Sequence, residues 1–145
     1  KLMEGDKAIS FNLQNQNGNQ IKIADYIGHS ILLWWYPKAD TPGWTIEGNG
    51  FRDRIQQFRE KNTIIFGISG DSVKENLLFK EKYSFQFDLL SDSDFTVSKA
   101  FGAFSGDGKY CDRISVLIND EGLIKKIYQD VDPSSHPEQV LADLD

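Results

Sequence analysis

The most constraining stretch of this chain is an apolar run that halts at a proline and restarts as a helix. Ile31-Leu32-Leu33-Trp34-Trp35-Tyr36 is unbroken by polar residues, which suits a strand buried on both faces. Pro37 cannot donate to a sheet ladder, so the strand ends there. A turn-rich link follows. Thr41 is then a favourable N-cap, and Pro42 takes the first helical position, where its missing N–H costs nothing. Trp44, Gly48, Phe51, Ile55 and Phe58 recur at alternating spacings of four and three, the stripe of one amphipathic helix. The first turn of that helix must face the protein, and the free N–H groups of Gly43 and Trp44 suit an anion or a polarised oxygen.

The remaining elements follow in chain order. Phe11 and Leu13, then Ile21 and Ile23, alternate with polar residues around Asn17-Gly18, predicting an N-terminal hairpin. Thr63 to Ser69 reads as a buried parallel strand. Gly70-Asp71-Ser72 ends it and opens a helix to about Tyr83, with Val73, Leu77 and Phe79 or Lys80 near its buried edge. Phe87 to Leu90 predicts a short strand, Ser91 to Asp94 a turn with an N-cap, and Phe95 to Phe101 a helix. Gly102 to Lys109 is a glycine-rich loop with no phosphate-binding pattern. Arg113 to Asn119 and Leu123 to Tyr128 predict antiparallel strands about Asp120-Glu121-Gly122, and a last helix runs from His136 or Pro137 to Leu144, with Val140, Leu141 and Leu144 as its apolar face. Strands alternating with helices, plus a hairpin at each end, predict a three-layer α/β fold with a central sheet flanked by helices.

Composition narrows the function classes. A chain of 145 residues with 39% apolar content is expected to form one domain with a substantial core. Its net charge of -6 argues against a nucleic-acid or anionic-membrane partner. No apolar run reaches transmembrane length and no signal peptide stands out in these residues. The single cysteine, Cys111, allows no intrachain disulfide, which fits a cytoplasmic setting. With only His29 and His136 available, no metal or other cofactor is expected, and Ser91 to Asp94 lacks the glycine and glutamate of a calcium loop.

The stretch from Pro37 to Asp53 resembles the active-site segment of peroxiredoxins, in particular the bacterioferritin-comigratory or Q-type branch. The family pattern Pro-x-x-x-Thr-x-x-Cys, followed by Thr-x-Glu-x-x-x-Phe-Arg-Asp, is matched by Pro37, Thr41, Thr45, Glu47, Phe51, Arg52 and Asp53. Leu89-Leu90-Ser91-Asp92 and Arg113 also fall on family segments. The resemblance covers nearly the whole chain and implies a thioredoxin-like fold with a mixed sheet. It further implies a hydroperoxide substrate, a thioredoxin-like reductant, and a monomer or weak homodimer. Three positions depart. Trp44 stands at the peroxidatic cysteine, Asn49 stands where many members carry the resolving cysteine, and Ala8-Ile9-Ser10 lacks the usual proline.

Reducing a hydroperoxide requires a thiolate in line with the O–O bond and donors that stabilise the departing oxygen. The resemblance makes Thr41, the first-turn amides and Arg113 those donors, with Arg113 also lowering the pKa of a nearby thiol. An indole cannot replace the thiolate, because its nitrogen pair belongs to the ring and its N–H only donates. Each residue also has a plainer reading. Trp44 on its apolar stripe is core, Thr41-Pro42 is a helix start, Arg113 is a surface ion-pair partner, and Trp34, Trp35 and Tyr36 alternate into two packed faces.

Two function classes remain at this point. One is a peroxiredoxin homologue without peroxidase activity that serves as a binding, sensing or regulatory domain. The other is an active peroxidase, using Cys111 or a native cysteine or selenocysteine at position 44, since UGA can specify selenocysteine or be decoded as tryptophan. The indole itself is expected to close the peroxide pocket, with room supplied by Gly43, Gly48 and Gly50 and with the Arg113 guanidinium stacked on its face.

Overall fold

The computed structural model describes residues 2–105 and 108–144. Seven strands form one sheet in the order β2-β1-β5-β4-β3-β6-β7. They are β1 (Asn12–Gln14), β2 (Gln20–Lys22), β3 (Ser30–Trp35), β4 (Thr63–Ser69), β5 (Asp88–Ser91), β6 (Ser115–Ile118) and β7 (Ile124–Tyr128). β3, β4 and β5 are parallel, and the remaining pairings are antiparallel, including the hairpin β1–β2. The sheet is mixed and open, as in thioredoxin-like folds.

The apolar run read from the sequence is β3, which pairs with β4 on one side and β6 on the other. Alternation sends Ile31, Leu33 and Trp35 into one core cluster and Leu32, Trp34 and Tyr36 into the other. All six are at most 1% exposed, so the strand has no polar face because neither face meets water. Burying such side chains is worth ~1.5–3 kcal/mol each.

Among the described residues five α-helices cover the sheet: α1 (Pro42–Asp53), α2 (Ile55–Glu60), α3 (Val73–Tyr83), α4 (Thr96–Ala100) and α5 (His136–Asp143). Phe51 of α1, Phe58 of α2, Phe79 of α3 and Val140 of α5 share the cluster of Trp34 and Tyr36, whereas Val97 of α4 packs against the cluster of Trp35.

Three expectations need correction, and α3 adds a buried residue that the sequence reading did not name. The stripe from Trp44 to Phe58 is two helices, because Arg54 breaks the ladder: its N–H bonds Phe51, and its own guanidinium donates to the Gly50 carbonyl at 3.0 Å. α3 fully buries Asn76 together with Phe79, while Val73 and Leu77 are only half-buried; Asn76 accepts from the Tyr36 hydroxyl at 2.6 Å and donates to Ser91. α4 is shorter than Phe95 to Phe101, and Phe95 is its N-cap at φ 60°. β6 begins at Ser115, leaving Arg113 before the strand. Of the glycine-rich loop, Gly106 and Asp107 lie outside the described residues. His29 is exposed and meets Asn62 Oδ1 at 2.6 Å, a partner distant in sequence.

Candidate active site

β3 hands the chain to α1 through Pro37–Thr41. Ala39 donates its N–H to Asp71 Oδ2 at 2.7 Å, and the Ser69 hydroxyl donates to the same oxygen at 2.8 Å, so the link is tied to the end of β4. Lys38 lies 3.7 Å from Glu75 on α3. Thr41 is the N-cap residue of α1, with Pro42 following it. Its side chain makes no cap bond; the hydroxyl donates instead to the Lys38 carbonyl at 2.9 Å, closing the turn and keeping its lone pairs available.

α1 buries Trp44, Glu47, Gly48 and Phe51. Trp44 is 9% exposed and belongs to the cluster of Trp34 and Tyr36, so the indole packs inward. The glycines meant to make room for it serve other rings. A Cβ on Gly48 would lie 2.5 Å from the Phe85 ring, and one on Gly50 would lie 2.7 Å from the Pro137 ring. Gly43 faces Pro133.

Arg113 is not stacked on Trp44. Its side chain is 57% exposed with Nη2 3.9 Å from Asp130 Oδ1, and among the described residues the cation–π contacts are Lys82 with Tyr83 and Lys99 with Phe104. Starting two residues before β6, Arg113 escapes the sheet and finds a surface carboxylate, the plainer of its two readings. Pro37 and Arg113 do line one cleft of about 550 Å³ with Cys111 and Asp130, but Thr41 and Trp44 are not among its lining residues.

Along α1, buried polar atoms find no partner among the described residues: Thr45 Oγ1, both carboxyl oxygens of Glu47, and Asn49 Oδ1, with Trp34 Nε1 from β3. Glu47 is fully buried, and burial holds its carboxyl well above the ordinary carboxylate range. Sequence reading matched Glu47 to a motif without placing it inside. Its spacing of three from Trp44 and four to Phe51 does put it on the buried stripe.

Cys111 sits on the opposite side of the sheet, in the cluster of Trp35. It is 4% exposed, and its thiol donates to Ser98 Oγ at 3.5 Å. Burial pushes the thiol up to about 11, with Asp92 and Asp112 adding to the rise against the lowering effect of Ser98. Ser98 itself donates to Asp92 at 2.6 Å and accepts from Trp35 Nε1 at 2.9 Å. A second buried polar group beyond sequence reading is His136, whose ring meets Ser115 Oγ at 2.9 Å and Gln139 at 3.0 Å. No group of metal-binding side chains forms among the described residues, and no helix is long and apolar enough to cross a membrane.

A thioredoxin-like sheet with a helix opening at the end of its β3, preceded by Pro37 and Thr41, defines the peroxiredoxin class. Residues 4–127 match the AhpC/TSA family, and the chain belongs to that family of thiol peroxidases. It is 38% identical over 146 residues to peroxiredoxin Bcp of Escherichia coli K12, covering 97% of this chain and 94% of that one. Peroxidoxin BcpB of Mycobacterium tuberculosis superposes with a TM-score of 0.93 at 30% identity, over 99% of this chain and 97% of that chain. The Xanthomonas campestris bacterioferritin comigratory protein, which has alkyl peroxide reduction activity, superposes with a TM-score of 0.86 at 31% identity, over 92% and 89%.

Proposed function

We propose that this chain, with tryptophan at position 44, is a non-catalytic member of the Bcp and PrxQ branch that keeps the peroxidase scaffold as a binding or regulatory domain. The observation that carries this reading is the buried indole at the peroxidatic position. It offers no nucleophile, and it packs into the core apart from the cleft that Pro37 and Arg113 line. The alternative of a relocated thiol is opposed by Cys111, which lies across the sheet, is 4% exposed and has its pKa raised to about 11. Losing a catalytic nucleophile removes most of a rate enhancement.

One observation favours a second reading, in which the native residue at position 44 is cysteine or selenocysteine. The unpartnered polar atoms of Thr45, Glu47 and Asn49 follow that position on the same helix, a costly arrangement for a helix that serves only packing. In that case the substrate is a hydroperoxide. The thiolate or selenolate attacks one oxygen, an S–O or Se–O bond forms as O–O breaks, and water or an alcohol leaves. With Asn49 in place of a resolving cysteine, a thioredoxin-like or small thiol then reduces the oxidised residue.

Peroxide consumption with thioredoxin or a small thiol tests both readings. The chain as written should show no saturable turnover, and Trp44→Cys should gain it with a thiol of depressed pKa. Turnover by the unaltered chain that Cys111→Ser abolishes would overturn the first reading. A folded Trp44→Cys variant with an ordinary, unreactive thiol would show that the scaffold no longer supports peroxide reduction. A UGA codon at position 44 would reopen the selenocysteine form of the second reading, and UGG would exclude that form.

A further inference from the structure

Both ends of α1 are held by one residue of α3. At the leading end the Tyr83 hydroxyl donates to Asp40 Oδ1 at 2.6 Å, and the neighbouring Lys82 ammonium donates to Oδ2 at 2.7 Å. Asp40 immediately precedes the N-cap Thr41 and has φ 60°, a left-handed backbone that aspartate tolerates better than most residues. These two bonds hold its carboxyl below the usual carboxylate range. At the trailing end Arg52 donates from Nη1 to the Tyr83 carbonyl at 2.7 Å, capping one of the carbonyls that the last turn of α3 leaves free. Between the two, the Tyr83 ring stacks on Phe85 with centroids 5.9 Å apart, and Phe85 lies against Gly48 at the middle of α1. The Phe-Arg-Asp motif thereby acquires a physical sense: Phe51 enters the core, Arg52 reaches Tyr83, and Asp53 braces Arg52 at 3.0 Å.

We propose that Tyr83, acting through Asp40, is a positioning residue for the peroxidatic site: its hydroxyl sets where α1 begins, and so where Thr41 and the side chain at position 44 lie. The proposal rests on position 44 being the peroxidatic position. Ala39, one residue earlier, is already tied to Asp71, so Tyr83 supplies the second of two anchors that confine the link. Asp40 and Lys82 side chains are 40% and 58% exposed. Polar contacts this open to water add little to global stability, so their effect is local placement.

The test uses the full chain labelled with 5-fluorotryptophan, which gives three fluorine signals, one for each tryptophan. Trp44→Phe assigns the signal of interest. Tyr83→Phe removes one hydroxyl and keeps the ring stack and the backbone carbonyl. It and Asp40→Ala should displace or broaden the Trp44 signal while the Trp34 and Trp35 signals and the thermal midpoint hold. Asp40→Asn, which keeps an acceptor and tolerates the left-handed backbone, should restore most of the native position. A Trp44 signal unmoved by both Tyr83→Phe and Asp40→Ala overturns the proposal. So does joint movement of all three signals with a fallen midpoint, which assigns Tyr83 a general structural role. In Trp44→Cys, adding Tyr83→Phe should shift the thiol pKa upward. If Trp44→Cys alone titrates as an ordinary thiol, the reading of the pocket fails, while the fluorine measurement still decides the role of Tyr83.

Discussion

Trp34 and Trp35 are consecutive residues of β3, equally buried, and they face the two sides of the sheet. The Trp35 indole donates to Ser98 Oγ, which also accepts from Cys111 and donates to Asp92, while Asp92 accepts from the backbone of Ser98 at 2.6 Å. Each polar atom in that knot has a partner. On the other side the Trp34 indole N–H has none among the described residues, and neither do Thr45 Oγ1, the Glu47 carboxyl oxygens and Asn49 Oδ1 on the helix that crosses it. Because a buried polar group without a partner costs ~1–3 kcal/mol, a chain keeps a complete network for stability and an incomplete one for something else. The contrast sets the fully paired surroundings of Cys111 apart from the unpartnered polar atoms beside Trp34 and along α1.

The largest effect should come from breaking the complete side. Ser98→Ala strips Trp35 Nε1 of its acceptor and Asp92 of a donor, and should destabilise the protein by about 2–3 kcal/mol in chemical denaturation with an unchanged slope. A loss below ~0.5 kcal/mol would mean that the two sides do not differ in this way.

Glu47 sharpens the same contrast through pH. Its folded pKa is raised, so the stability it contributes is fully present below its unfolded value near 4.5 and is lost as pH rises through the folded value. Glu47→Gln should therefore be more stable than the parent by ~1 kcal/mol at pH 8, with the gap closing toward pH 4.5. A parent that is the more stable of the two at pH 8 would show that Glu47 is ionised and paired.

The smallest effect is expected at the rim. Arg113→Ala removes a guanidinium that is 57% exposed and 3.9 Å from Asp130, and should change stability by less than about 0.5 kcal/mol. A cost above ~1 kcal/mol, measured in the same denaturation series, would place Arg113 in a tighter network than its exposure shows.

Much of this molecule was legible as a sequence because its strongest signals are local. An apolar run ended by proline, the Thr-Pro helix start, Asn-Gly between alternating strands and the Gly-Asp-Ser step at Gly70 to Ser72 all act within a few residues of themselves, and β3, the start of α1, the β1–β2 hairpin and α3 fall where those signals put them. The family motif from Pro37 to Asp53 was readable for the same reason. What the tertiary structure decided is where long side chains found partners. Arg113 turned to Asp130, Arg54 broke its own helix by reaching Gly50, Phe85 and Pro137 occupied the space over Gly48 and Gly50, and Tyr83 closed on Asp40 across 43 positions. Periodicity states which face of an element is buried, but not what lies opposite it. Partner choice depends on distances between residues far apart in sequence, and those exist only once the chain has folded.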